Sequence, residues 1–144
     1  MKKYKGLECI LLVDDNESTN FLHEFLIKKT KIDTQVQVAK DGVTALEYLT
    51  SDNVNYSTTN NIPPGIILLD LNMPKMNGWE FLEEFKKLPK EQKSKTIILM
   101  VTSSINEDDK KLAASFSDIT DFICKPINQD FLQKTIDSNF ELIQ

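Results

Sequence analysis

Short strand-like runs punctuate the chain: "ECILLVDD", "GIILLD" and "KTIILMVTSS" are built on apolar stretches, and "ITDFICKP" is a further strand stopped by Pro126. A run that is apolar at every position, rather than at alternate ones, suits a parallel strand buried on both faces. "TQVQVAK" alternates instead and predicts a shorter strand. Between the strands the spacing shifts to that of amphipathic helices. In "NESTNFLHEFLIKK" the stripe is Phe21, Leu22, Phe25 and Leu26, with Asn16 as cap and Lys28 and Lys29 at the end, where the helix dipole favours cations. "DGVTALEYL" turns Val43, Leu46 and Leu49 inward. "NGWEFLEEFKKL" carries Trp79, Leu82, Phe85 and Leu88 on its apolar side, and Gly78 eases the turn into it. "NEDDKKLAASF" runs from acidic to basic, as a helix dipole prefers, and either Asn106 or a Ser104–Glu107 capping box starts it. "NQDFLQKTIDSNFELI" predicts the last helix, with Phe131, Leu132, Thr135, Ile136, Asn139 and Phe140 on one stripe.

Five strands alternating with five helices predict an α/β domain with a parallel sheet and right-handed crossovers. Residues 51–64, "SDNVNYSTTNNIPP", are polar and rich in turn formers; they predict a long loop insertion that holds no catalytic residue. There is no internal repeat and no interdomain linker, so 1–144 is expected to be one domain.

Length and composition refine this. The 144 residues are 40% hydrophobic, enough for one domain with a proper core. The formal net charge of −5 disfavours nucleic acid or an anionic membrane as a partner, yet leaves room for a small cation where acids cluster. Cys9 and Cys124 sit in apolar stretches and read as reduced core thiols. "MKKYKGLECILLVDD" reads as a strand rather than a signal peptide, and no run is long enough to cross a bilayer, which places the chain in the cytoplasm. "KYK" and the paired lysines read as solvated faces, His23 as a helix-surface residue, and Trp79 as a packing residue.

The strand ends carry the chemistry. In an open parallel α/β sheet, ligands bind at the carboxyl ends of the strands. The first strand ends in Asp14 and Asp15, the third in Asp70, the fourth in Thr102 and Ser103, and the fifth in Lys125 and Pro126. Two carboxylates about 4 Å apart repel by roughly 4 kcal/mol at an effective dielectric of 20. Three of them need protonation, a lysine or a hard divalent cation, and Lys125 balances only one charge. An all-oxygen set with few protein ligands suits Mg²⁺. Asp70 is then a candidate nucleophile for phosphoryl transfer, with Lys125 and the Thr102 hydroxyl contacting the phosphoryl oxygens.

"VDDN", "LLDLNMPKMNG", "VTSS" and "ICKP", in this order at successive strand ends, resemble the receiver domain of two-component response regulators, the CheY-like family. The resemblance implies a doubly wound, flavodoxin-like sheet of order 2-1-3-4-5 with helices on both faces. It implies that Asp70 is the phosphoacceptor, and that Asp15, Asp70 and the Asn72 backbone carbonyl ligate Mg²⁺ directly while Asp14 acts through water. It places Thr102 and Lys125 on the phosphoryl group and Phe122 at the switch-aromatic position, and it implies a cis Lys125–Pro126 bond. The implied activity is a phosphorelay step. A sensor histidine kinase or histidine phosphotransfer protein supplies the phosphoryl group, and the receiver catalyses the transfer and its own later hydrolysis. Thr102 and Phe122 then bias the face of the fourth helix, fifth strand and fifth helix towards a downstream protein.

With no effector domain after residue 144, the resemblance is to a stand-alone receiver, and homodimerisation is open. Phe122 lacks the hydroxyl of the commoner tyrosine, and Ser103 stands where alanine or glycine is frequent. The alternative is a pseudo-receiver that binds partners without phosphorylation. An aspartyl phosphatase of the haloacid dehalogenase type wants a second acid at position 72, which is Asn. An FMN carrier wants a Ser/Thr/Gly-rich loop where Asp14 and Asp15 stand.

Overall fold

The computed structural model describes residues 1–50, 62–93 and 96–144. Among the described residues the strands are β1 (Tyr4–Lys5), β2 (Cys9–Val13), β3 (Gln35–Ala39), β4 (Ile66–Asp70), β5 (Ile97–Thr102), β6 (Ile119–Cys124) and β7 (Glu141–Leu142). The helices are α1 (Glu17–Lys29), α2 (Gly42–Thr50), α3 (Gly78–Phe85), the short α4 (Lys90–Lys93), α5 (Glu107–Ala114) and α6 (Gln129–Asn139), and from β2 onward helix follows strand except where α4 follows α3. The main sheet has the order β3-β2-β4-β5-β6, and every pair in it is parallel. Counting its strands along the chain, this is the expected 2-1-3-4-5 order. Residues 51–61 of the expected loop lie outside the described residues. No helix among the described residues is long and apolar enough to cross a membrane.

The pleat divides the core. Leu11, Val13, Ile67, Leu69, Ile98 and Met100 pack on one face with Ala45 and Leu49 of α2 and Phe81, Leu82 and Phe85 of α3. Ile10, Leu12, Ile66, Leu68, Leu99 and Val101 pack on the other with Ile27 of α1 and Leu132 and Ile136 of α6. This double burial explains why β2 and β4 are apolar at every position up to their final acids.

On α1 the inward stripe is Asn20, His23 and Ile27, whereas Phe21 and Phe25 are 75% and 52% exposed. Of the expected stripe only Leu26 packs against the core, while Phe21, Leu22 and Phe25 are turned to solvent. His23 is buried rather than on the surface. Val43 is exposed, and Phe81, absent from the expected stripe of α3, is fully buried. Cys9 is buried but Cys124 is exposed, and both are free thiols. Tyr4 is buried, and its hydroxyl donates to Asp137 Oδ1 at 2.6 Å. Its two-residue strand pairs antiparallel with β7 and ties the first residues to the last. Such short strands leave no periodicity to read.

The caps are now settled. Asn16 accepts from the Thr19 N–H, and Asn106, rather than Ser104, caps α5 through the Asp109 N–H. Asn77 and Glu80 form a reciprocal capping box on α3.

Phe81→Ala should cost about 3–5 kcal/mol in urea unfolding, because it opens a cavity in a closed core. Phe21→Ala should stay within about 0.5 kcal/mol, as expected for an exposed side chain. The reverse ranking would restore the original stripe. Burial holds the His23 pKa below its ordinary 6.5, so the unfolded chain binds this proton more readily. The His23 contribution to stability should be complete above that value and decline as the pH falls through it. His23→Gln should flatten the stability profile between about pH 5 and 7. An unchanged profile would contradict the assignment.

Candidate functional site

β2, β4, β5 and β6 end on one rim of the sheet, and each delivers a polar residue there. Asp14 follows β2, Asp70 closes β4, Thr102 closes β5 and Lys125 follows β6. Parallel register makes this automatic. Asp70 lies opposite Val101, and Thr102 opposite Cys124, so one residue of overrun places Lys125 beside the acids. The Lys125 N–H closes the rim by donating to the Thr102 carbonyl at 2.8 Å.

Asp14, Asp15 and Asp70 each present a carboxylate oxygen, and these atoms lie within 4.8 Å of one another. Asp14 and Asp70 are each 3% exposed, whereas Asp15 faces solvent. Lys125 Nζ donates to Asp14 Oδ2 at 2.9 Å and lies 3.2 Å from Asp70 Oδ1. The Asn16 N–H donates to Asp14 Oδ1 at 2.9 Å, and the Asn72 N–H donates to the Asp70 carboxylate. One ammonium therefore serves two buried carboxylates, with the third at the mouth.

The titration of the groups records this imbalance. Burial pushes the Asp70 carboxyl above its usual range, the Asp14 charge adds to the effect, and Lys125 and the Asn72 N–H oppose it only in part. For Lys125, burial works against the charge, but the bonds to Asp14 and the charges of both acids outweigh it and hold the ammonium above its usual range. Three carboxylates around one cation leave room for a hard divalent ion, and the all-oxygen donor set fits one.

Thr102 is buried, and its hydroxyl donates to the Ser104 carbonyl at 3.2 Å. A groove of about 370 Å³ runs from Lys125 and Pro126 past Ser103 to Asn16, Ser18, Thr19 and Leu22. The Lys125–Pro126 bond is cis. Phe122 does not join the acidic cluster. It packs edge-on against Trp79, with ring centroids 6.2 Å apart, and Trp79 stacks on Phe116 at 5.8 Å.

Gly78 supports the site differently from the expected relief of strain. A Cβ there would sit 2.8 Å from the Asp70 carbonyl oxygen, so only glycine lets α3 start this close to the strand end. The Gly78 N–H donates to the Leu71 carbonyl at 2.9 Å, which folds "MPKMN" back over the rim. Asn20, whose role the sequence does not reveal, donates through Nδ2 to the Asp14 carbonyl at 2.9 Å.

The family model described as the response regulator receiver domain matches residues 10–137. Response regulator Rcp1 of Synechocystis is 36% identical over 102 residues, covering 71% of this chain and 66% of Rcp1, just under two thirds of its length. A crystal structure of a two-component response regulator from Cytophaga hutchinsonii matches with a TM-score of 0.79 and 28% identity, covering 92% of this chain and 96% of that one. The Mn²⁺-bound form of Rcp1 matches with a TM-score of 0.70 and 30% identity over 91% and 90% of the two chains. The phosphorylated cyanobacterial phytochrome response regulator RcpA matches with a TM-score of 0.70 and 28% identity over 92% and 90%.

Because ionised Asp70 is held above its usual range, it carries a cost at neutral pH that disappears once the carboxyl is protonated. Without divalent metal, Asp70→Asn should therefore melt at a higher temperature than the parent at pH 7. The difference should shrink as the pH falls towards the ordinary aspartate range. A less stable variant at pH 7 would mean that the Lys125 pairing outweighs burial.

Proposed function

The chain belongs to the response regulator receiver-domain family, and from that premise we propose that Asp70 takes a phosphoryl group from a phosphohistidine. Receivers of this family work with histidine kinases and downstream effectors. The observation that carries the assignment is the buried Asp14–Asp70 pair sharing Lys125, with Asp15 at the mouth. A carboxylate built only as a helix cap has no need of two further acids and a lysine.

In the proposed reaction, a carboxylate oxygen of Asp70 attacks the phosphorus. The P–N bond of the donor breaks, and its electrons return to the imidazole nitrogen. Asp15, Asp70 and the Asn72 carbonyl would hold Mg²⁺, with Asp14 acting through water; the bound ion supplies charge neutralisation at the phosphoryl oxygens. Lys125 already touches both buried acids and needs little movement to reach a phosphoryl oxygen on Asp70. Thr102 would exchange its bond to the Ser104 carbonyl for one to the same group. This withdrawal couples the site to Phe122 on β6 and to the face of α5, β6 and α6, where a downstream protein would read the state.

Residues 1–144 are read as one receiver domain, since β1 and β7 join the two ends beyond the matched segment. The proposed setting is the cytoplasm, with a sensor kinase or histidine phosphotransfer protein as donor.

Incubated with acetyl phosphate and Mg²⁺, the protein should gain one phosphoryl group. Asp70→Asn should gain none, and Thr102→Ala should slow transfer on the order of a hundredfold, as for loss of one oxyanion donor. Labelling of Asp70→Asn at the parental rate would refute the assignment. Absence of labelling in the parent, with acetyl phosphate and with phosphorylated kinases alike, would favour the pseudo-receiver.

A further inference from the structure

Asn20 is an odd residue for its place. It sits on the inward stripe of α1 with His23 and Ile27 and is 7% exposed. Packing alone would favour an apolar side chain of the same size. Its Oδ1 is buried and has no hydrogen-bond partner among the described residues. A buried amide oxygen without a partner is a standing cost to the fold. Only the other half of the amide is used: Nδ2 donates to the Asp14 carbonyl at 2.9 Å.

That carbonyl lies where the ladder of β2 runs out. The Asp14 N–H still pairs with the Ala39 carbonyl at 3.1 Å, while Asp14 is already beyond the last residue of the strand. The Asp14 carboxylate is fixed separately, by Lys125 and by the Asn16 N–H. The peptide plane between Asp14 and Asp15 is therefore held from below by Asn20. Because a peptide is planar, fixing the carbonyl also fixes the direction in which Asp15 leaves the strand. Asp15 is exposed and gains no orientation from burial.

We infer that Asn20 is a positioning residue for the divalent-ion site: it clamps the Asp14–Asp15 peptide so that the Asp15 carboxylate faces Asp70. The inference rests on the reading of Asp15 and Asp70 as metal ligands. Asn20 acts through the Asp14 carbonyl and is not assigned as a ligand. The Asn20 amide anchors the backbone immediately before Asp15, and so bears on the direction in which that carboxylate is presented.

Asn20→Leu separates positioning from packing. It fills the same space, removes the unpartnered oxygen and deletes the donor. Mg²⁺ affinity, by calorimetric titration of the full chain, should fall roughly tenfold or more, in the range seen when residues supporting a metal ligand are lost. The melting temperature without metal should stay at or near the parental value. Asn20→Ala should weaken Mg²⁺ to the same degree, and it serves as the test if the leucine variant does not fold. Phe21→Ala, on the exposed side of the same turn, should leave affinity unchanged. Parental Mg²⁺ affinity in both Asn20 variants, within about twofold, would overturn the inference provided that Asp15→Ala abolishes binding. Parental affinity in Asp15→Ala would overturn the ligand reading itself, and the inference with it.

Discussion

Two carboxylates buried at the ends of adjacent parallel strands and bridged by one lysine form the interaction on which this molecule turns. Asp14 and Asp70 are as buried as the core around them, and Lys125 reaches both. Removing charge from water is costly, and one ammonium compensates for one acid, not two. The remainder is visible in Asp70, whose carboxyl is held above its usual range. A site left short of positive charge is ready to take up a cation and, with it, an anionic phosphoryl group that a bare acidic cluster would repel.

The fold secures this arrangement by apolar means. β2 and β4 are buried on both faces, so neither can slip without exposing one of two packed cores. The acids at their tips are thus fixed to the register of the sheet. Around the rim, single residues take up the remaining freedom. Gly78 allows α3 to begin against the Asp70 carbonyl, Asn16 holds the Asp14 carboxylate, and Asn20 holds the Asp14 carbonyl. On the far side of the same sheet face, Phe122 leans on Trp79, which leans on Phe116. Phe122 is thus in ring contact with α3 through Trp79, and Trp79 with the segment after α5 through Phe116.

Most of this was readable from the chain because β2, β4 and β5 are buried almost throughout and apolar up to the polar residue that marks each end, while in β6, with its exposed Thr120 and Asp121, the lysine after the strand gives the mark. Asp14, Asp15, Asp70, Thr102 and Lys125 announce themselves in this way, and the structure brings them to one rim. What escaped has a common physical cause. The inward stripe of α1 is partly polar, built on Asn20 and His23, while Phe21 and Phe25 point to solvent; hydrophobic spacing alone selects the wrong side. Tyr4 and the short β1–β7 pair depend on contacts across the whole length of the chain, which leave no local pattern. Gly78 looks like an ordinary turn glycine until the Asp70 carbonyl is seen beside it. The Asn77–Glu80 box, by contrast, follows the ordinary Asn-x-x-Glu spacing of a capped helix start.

The most direct measurement is to locate the phosphoryl group chemically. The protein would be phosphorylated in Mg²⁺, the acyl phosphate reduced with borohydride, and the reduced residue identified by peptide mapping. The account predicts reduction at position 70 alone, and none when Mg²⁺ is withheld. Reduction at Asp14, Asp15 or any other carboxylate, or equal reduction at position 70 without a divalent ion, would contradict it.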